Sequence, residues 1–213
     1  MIMRFGWSDG ELTEAHNYIL PAVIRLLAES DAAKAGSKDI FDLGCGNGSV
    51  MKALTTAGWD VVGVDPSIDG VEQAKREMPS IAIYQASADE SLSTRFGTFT
   101  FVISLEVIEH VYDPRRFAAT LASLLKPGGA VILSTPYHSY LKNLALSLSG
   151  KMDDHFTVLW DHGHIKFWSI KTLSKLLYEA GLEVFSITRV GRIPILAKSM
   201  IIMARHRETF VGP

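Results

Sequence analysis

The sequence has one cysteine in 213 residues, Cys45. That excludes an intrachain disulfide framework and a multi-cysteine zinc site. It has no stretch of 18 or more uncharged apolar residues. The longest candidate, 193–204, holds Pro194 and Lys198, so no helix is expected to span a bilayer. The segment Met1 to Asp9 lacks the apolar run of a signal peptide, which points to a soluble cytoplasmic domain. An excess of one charge is lacking too. Against 23 Asp and Glu stand 21 Lys and Arg, for a net charge of −2. So even a balance argues against attraction to nucleic acid or to an acidic membrane. There is no internal repeat or low-complexity tract, and 17 Gly with 8 Pro is near average usage. What is present is a globular balance, 47% hydrophobic and 21% charged. At roughly 100–200 residues per domain, the chain reads as one domain, 1–213.

Along the chain, Leu12, Ala15, Ile19, Ala22 and Leu26 recur at spacings of three and four, an amphipathic helix bent or restarted at Pro21. Residues 30–38 read as a linker closing an N-terminal helical segment, 1–38. Strands and helices then alternate. Strands fall at 40–43, 60–64, 81–84, 99–104 and 130–134. Helices fall at about 48–57, 67–77 and, after Asp113 and Pro114, up to Lys126-Pro-Gly-Gly129. This rhythm predicts a parallel sheet with helices on both faces, its cofactor core spanning 39–136. It breaks at 137–168, which holds four of the seven histidines, two of the four tryptophans and a short apolar helix near 141–148. A segment of that length outside the repeat reads as a substrate lid. A helix at 169–180 and strands at 182–190 and 196–204 complete the chain as its 169–213 portion. The short connection at 191–195 predicts an antiparallel hairpin at one edge of the sheet.

The most informative stretch is Ile40-Phe-Asp-Leu-Gly-Cys-Gly-Asn-Gly-Ser49. Glycines at 44, 46 and 48 after an apolar strand permit a tight turn and close approach of a ligand. A dinucleotide loop would place its third glycine at Ser49. Asp42, at the strand end, would repel two phosphate charges and attract a cation. A phosphate-free, cationic ligand fits better, and S-adenosylmethionine (SAM) is one. Asp65, nineteen residues after Gly46 and ending the second strand, suits the two ribose hydroxyls. Alternatively, it caps the helix that begins near Ser67.

Four motifs together, Phe41-Asp-Leu-Gly-Cys-Gly-Asn-Gly48, Val64-Asp-Pro-Ser67, Leu105-Glu-Val-Ile-Glu-His110 and Leu125-Lys-Pro-Gly-Gly129, resemble the class I SAM-dependent methyltransferases. Later stretches, Gly163-His-Ile-Lys-Phe-Trp-Ser169 and Leu173 to Leu182, resemble the ubiquinone-biosynthesis O-methyltransferase type. The resemblance implies an α/β fold, a doubly wound, mostly parallel Rossmann-like sheet of seven strands with an antiparallel edge hairpin. It implies SAM as cofactor and S-adenosylhomocysteine (SAH) as product. By the same resemblance, the backbone of Gly44, Cys45 and Gly46 would line the methionine part. Asp42 would reach its amino group through water. Asp65 would hold the ribose, with Pro66 and Ser67 flanking the adenine. Ser87, Ala88 and Asp89 fall where the family places an acid-then-alanine pair at the adenine edge, with serine standing in the acid's place. Leu105 would abut the sulfonium.

Methyl transfer from a sulfonium needs alignment, exclusion of water and, for a hydroxyl acceptor, a base. Glu106, Glu109 and His110, at helical spacing, are expected on one face near the carboxyl edge of the sheet. His110 with Glu109 is the catalytic reading; orienting or covering the cofactor is the bland one. No resident metal is expected. An alternative places one on Glu106, Glu109, His110 and His162 or His164, a pattern resembling the metal-dependent 2′-O-methyltransferases of small RNAs. Tyr137, His138 and Trp168, with Tyr140 and Trp160, are candidates to clamp the acceptor or simply to pack the lid. Trp7, His16 and Tyr18 are candidates to close over the cofactor. Cys45, slightly activated by the helix terminus, is expected to be a small loop residue without a nucleophilic role. The expected acceptor is a small molecule with an oxygen nucleophile. Rivals are an RNA 2′-O-methyltransferase, a non-catalytic SAM-binding protein and a nicotinamide oxidoreductase.

Overall fold

A computed structural model describes residues 10–156, 159–161 and 163–208; Trp7 and His162 lie outside the described residues. Seven strands, β1 (Asp39–Leu43), β2 (Asp60–Asp65), β3 (Ala82–Gln85), β4 (Phe99–Leu105), β5 (Leu125–Pro136), β6 (Leu182–Val190) and β7 (Ser199–His206), form one sheet. Their order is β3-β2-β1-β4-β5-β7-β6. β1 to β5 pair in parallel. β7 enters antiparallel between β5 and β6. This is the Rossmann-like methyltransferase topology, with the hairpin of the last two strands at one edge.

The central strands are mostly apolar because both faces are covered. Successive side chains alternate between two cores. Ile40, Phe101, Ile103 and Ile132 enter one, while Phe41, Val102, Val131 and Leu133 enter the other. The first core is closed by α1 (His16–Glu29), α3 (Ser49–Thr56) and α4 (Ile68–Glu77) through Ile19, Val23, Leu27, Met51, Leu54 and Val71. The second is closed by α6 (Pro114–Leu124) and α9 (Ile170–Glu179) through Phe117, Leu121, Leu173 and Leu177. Fully burying one such side chain contributes about 1.5–3 kcal/mol. Pro21 lies within α1 but on its exposed side, opposite Ile19, Val23 and Leu27.

The supposed linker 30–38 contains a helical turn, α2 (Asp31–Lys34), because the Ser30 hydroxyl accepts from the Ala33 amide. Two further short helices, α5 (Leu92–Phe96) and α8 (Met152–Phe156), and the helix α7 (Tyr140–Leu148) complete the elements used below. Strand β5 starts earlier than its apolar run, at Leu125, where it pairs with Phe99 before a register shift. Among the described residues, no helix is long and apolar enough to cross a membrane.

Candidate active site

The site is built at the carboxyl ends of β1, β2, β4 and β5. The glycine loop leaves β1 with Gly44 at φ 89, Gly46 at φ 53 and Gly48 at φ 74, all in the region that disfavours a side chain. Gly44 also has no room for one: a Cβ there would stand 2.7 Å from Val107. The amides of Gly44 and Cys45 donate to the Val64 carbonyl at 2.8 and 3.1 Å, tying the loop to β2. Asp65 finishes that tie. Its Oδ2 accepts from the Gly46 amide and its Oδ1 from the Ser67 amide, both at 2.8 Å. The helix cap is Ser67, which accepts from Gly70. Asp65 is thus the clamp across the mouth of the loop rather than the cap of α4.

Asp42 is 2% exposed, and its Oδ2 has no hydrogen-bond partner among the described residues. Burial, then the charge of Asp65, pushes its carboxyl up to about 8. Burial also lifts Asp65, to about 6, against the pull of the Ser67 and Gly46 amides. A buried carboxylate with a bare oxygen is costly unless a donor or cation arrives. Cys45 is buried, and burial followed by the Asp42 and Asp65 charges drives its thiol well above the ordinary range. That direction is opposite to the slight activation expected from the helix terminus.

Leu105 ends β4 buried in the first core. Ser87, Ala88 and Asp89 follow β3 in a turn. The Ser87 hydroxyl accepts from the Asp89 amide at 3.3 Å, and its amide donates to Glu90 at 2.8 Å. Asp89 faces outward, paired with Arg116 at 3.4 Å.

Past β4 the structure departs from the expected helical face. Glu106 takes φ 56, left-handed backbone that a non-glycine residue rarely adopts. A three-residue 3-10 turn, Ile108–His110, follows in place of an α-helix. The three side chains therefore do not share a face. Glu106 turns toward β5 and β7, accepting from Ser134 Oγ at 2.8 Å and Ser199 Oγ at 3.3 Å. Tyr18 joins the same group through Ser199 at 3.3 Å. Burial lifts Glu106 to about 7.

Glu109 and His110 instead converge with His164, each offering a ligand atom within 4.8 Å of the others. Thr135 Oγ1 donates to Glu109 Oε2 at 3.0 Å. Oε1 is buried without a hydrogen bond among the described residues, 4.0 Å from His164 Nε2. Burial, then the Glu106 charge, holds the Glu109 carboxyl well above the usual range. Burial and the neighbouring His110 and His155 lower His164 to about 4. His110 Nδ1 lies 3.2 Å from the Gly163 carbonyl. A carbonyl only accepts, so Nδ1 carries the hydrogen and Nε2 is the basic nitrogen.

The segment 163–168 is strapped across this turn. The Ile165 and Lys166 amides donate to the Glu109 carbonyl at 2.9 and 3.0 Å, and Trp168 Nε1 donates to the Ile108 carbonyl at 3.3 Å. Trp168 and Tyr137 are buried in the second core. His138 instead lines a cavity of about 530 Å³ with Asn143, Met152, Asp153, Phe156 and Phe167. Tyr140 and Trp160 are exposed. His16 bonds Thr13 at 3.1 Å on the surface of α1's first turn. Asn143, Phe156 and Phe167 carried no recognisable spacing in the sequence; long-range packing alone gathers them.

The glycine loop clamped by Asp65, with buried Asp42 at its start and a Glu-His-His cluster beyond β4, defines a SAM-dependent methyltransferase of class I. The family model for a methyltransferase domain matches residues 13–187, and the chain belongs to that family. It is 30% identical over 191 residues to the ubiquinone biosynthesis O-methyltransferase of Methylococcus capsulatus, covering 88% of this chain and 79% of that protein. The enzyme of the same description from Aromatoleum aromaticum is 29% identical over 171 residues, covering 78% of this chain and 73% of that protein. Among solved structures, the magnesium protoporphyrin IX methyltransferase of Synechocystis with bound SAH superposes with a TM-score of 0.66 at 20% identity. That match covers 89% of this chain and 82% of the other.

Proposed function

We propose that this methyltransferase methylates a small molecule at oxygen. One observation carries the reading. The Glu109–His110–His164 cluster follows directly on Val107, whose side chain abuts the glycine loop at Gly44. A base is thereby held beside the cofactor loop. The relatives that share 27–30% of the sequence, described as ubiquinone biosynthesis O-methyltransferases, support an oxygen acceptor.

The acceptor oxygen attacks the methyl carbon in line with the sulfur. With SAM bound, the oxygen's electron pair would form the new O–CH3 bond while the pair of the S–CH3 bond stayed on sulfur, giving the neutral thioether SAH. The hydroxyl proton passes to His110 Nε2, and the imidazolium that results draws the neighbouring Glu109 carboxyl, otherwise kept protonated by burial, toward its ionised form. The glycine loop from Gly44 to Gly46 holds the methionine part. Asp42 takes the ammonium, Asp65 the ribose, Pro66, Ser67 and Ser87 to Asp89 flank the adenine, and Leu105 shields the sulfonium. Oriented placement of this kind is worth on the order of 7–11 kcal/mol.

Incubation with methyl-labelled SAM and a panel of phenols, alcohols, amines and a small structured RNA tests the reading. Label is expected on oxygen acceptors. Label confined to amines or RNA overturns it. Asp65→Ala is expected to weaken SAM binding by about 1–3 kcal/mol, the cost of unpaired hydroxyls and a loosened loop. Unchanged affinity by calorimetry would refute the ribose assignment.

A second reading is favoured by the bare Glu109 Oε1 among three convergent ligand atoms. A divalent cation on Glu109, His110 and His164 would polarise the acceptor hydroxyl and favour its deprotonated form. Glu106 takes no part, being engaged with Ser134 and Ser199. Under this reading EDTA abolishes transfer and added Mg²⁺ or Mn²⁺ restores it. Turnover indifferent to chelation leaves His110 as the base.

A further inference from the structure

We propose that the cavity between α7 and α8 is a specificity pocket in which His138 and Asn143 select a neutral hydroxyl carried on a planar apolar ring. The inference rests on the small-molecule acceptor reading and adds a second recognition point to it, separate from the reacting oxygen.

The walls fix the shape of the guest. Met152 and Phe156 of α8 and Phe167 of the strap face the cavity. Phe156 and Phe167 meet edge to face, with ring centroids 4.9 Å apart. His138 stacks nearly parallel to Phe156, at 11° and 6.1 Å, and meets Phe167 edge-on at 5.2 Å. Flat aromatic walls at these angles favour another flat ring. The volume of about 530 Å³ lies in the range of small-molecule sites.

The polar atoms fix its chemistry. His138 Nδ1 and Asn143 Oδ1 are both buried without a hydrogen-bond partner among the described residues. The Asn143 carboxamide lies close enough to His138 to favour its protonation, yet the two are not aligned to satisfy each other. Groups left this way in a ring-walled site mark where a ligand's polar group belongs. The terminal torsions of both side chains are soft, so a small rotation brings either atom to the cavity surface. Burial and the Lys142 and His155 charges keep His138 neutral near pH 7, lowered to about 4. In its Nδ1–H tautomer the neutral imidazole donates to the pocket, and the carboxamide oxygen accepts. A hydroxyl answers both at once, accepting from His138 and donating to Asn143. A carboxylate can answer only the first, and Asp153 in the lining repels it. His138 also feels the charge of His164, whose ring lies 4.9 Å from that of His110.

The probes are 1-naphthol, its near-isostere 1-methylnaphthalene and the anion 1-naphthoate, titrated by calorimetry into the full chain with SAH bound. Naphthol is expected to bind at least fivefold tighter than methylnaphthalene, with naphthoate weakest. In Asn143→Leu and His138→Phe the preference for naphthol falls to within twofold while methylnaphthalene binds as well as before. Thermal melts and SAH affinity on the same samples verify that the variants fold. Equal binding of naphthol and methylnaphthalene by the native protein, tighter naphthoate binding, no binding of any probe, or a preference that survives both substitutions overturns the proposal. Labelled-methyl transfer is read separately. A native naphthol preference without transfer to any oxygen acceptor would refute the acceptor reading while leaving the pocket's selectivity standing.

Discussion

Asp42→Asn is expected to yield a ligand-free protein that is more stable at pH 8 and binds SAM poorly. An unfolded aspartate titrates near 4, whereas the folded Asp42 holds its proton up to about 8. Between those values the folded state binds more protons than the unfolded one, so stability falls as pH rises. The contribution is complete below pH 4 and gone once the folded group ionises near pH 8. Asp65, Glu106 and Glu109 are shifted in the same direction and steepen the slope. The asparagine removes the buried charge, a gain of about 1–3 kcal/mol at pH 8. It also removes the partner of the ligand's ammonium, and a charge-assisted bond of about 1.5–3 kcal/mol corresponds to a roughly 10- to 150-fold loss of affinity. Urea denaturation at pH 5.5 and 8, with calorimetry of SAM binding, reads both effects. In the native protein, SAH should raise the melting temperature more at pH 8 than at pH 5.5, because the ligand meets an ionised Asp42 only at the higher pH. Native-like SAM affinity in the variant would disprove the ammonium assignment.

His110→Ala is expected to lower kcat by about 10²–10⁴, the usual range for a lost general base, while SAM affinity stays within about twofold. The imidazole sits on the 3-10 turn beyond Val107 and its Nδ1–H is held by Gly163, so its removal leaves the loop contacts of Gly44 and Cys45 intact. The acid limb of the kcat profile should disappear with it. A weak, pH-independent residual rate in His110→Ala and an ordinary bell in the native enzyme would fit a base. Loss of SAM binding in the variant would instead assign His110 to covering the cofactor.

The sheet was legible in the sequence because both of its faces are covered. Each central strand appears as a mostly apolar run such as Phe99 to Leu105, broken only by Thr100 and Ser104, and glycines such as Gly128 and Gly181 sit where the backbone takes a positive φ. The glycine loop was legible for the same reason, since Gly44, Gly46 and Gly48 announce a conformation that few other residues tolerate. Glu106 gave no such signal. A glutamate in left-handed backbone is held there by Ser134 and Ser199, partners 28 and 93 residues away, so spacing alone placed it on the wrong face. The short helices α2 and α8 are too brief for periodicity to register. The partnership of His138 with Asn143, Phe156 and Phe167 depends on how α7, α8 and the strap fold over the sheet, and no local pattern encodes that.

Strand β7 follows all the other strands of the sheet in the chain, yet it lies inside the sheet, paired on one side with β5 and on the other with β6. A chain emerging from synthesis must therefore keep the margin of β5 unoccupied, and β6 without a neighbour, until residues 199–206 arrive. During that interval two open margins invite pairing with other chains. Ser199 bridges Tyr18 and Glu106 only once β7 is seated. Completion of the sheet and the anchoring of Glu106 are thus a single late event, and substitutions that weaken β7 should lower the yield of soluble protein before they touch the chemistry.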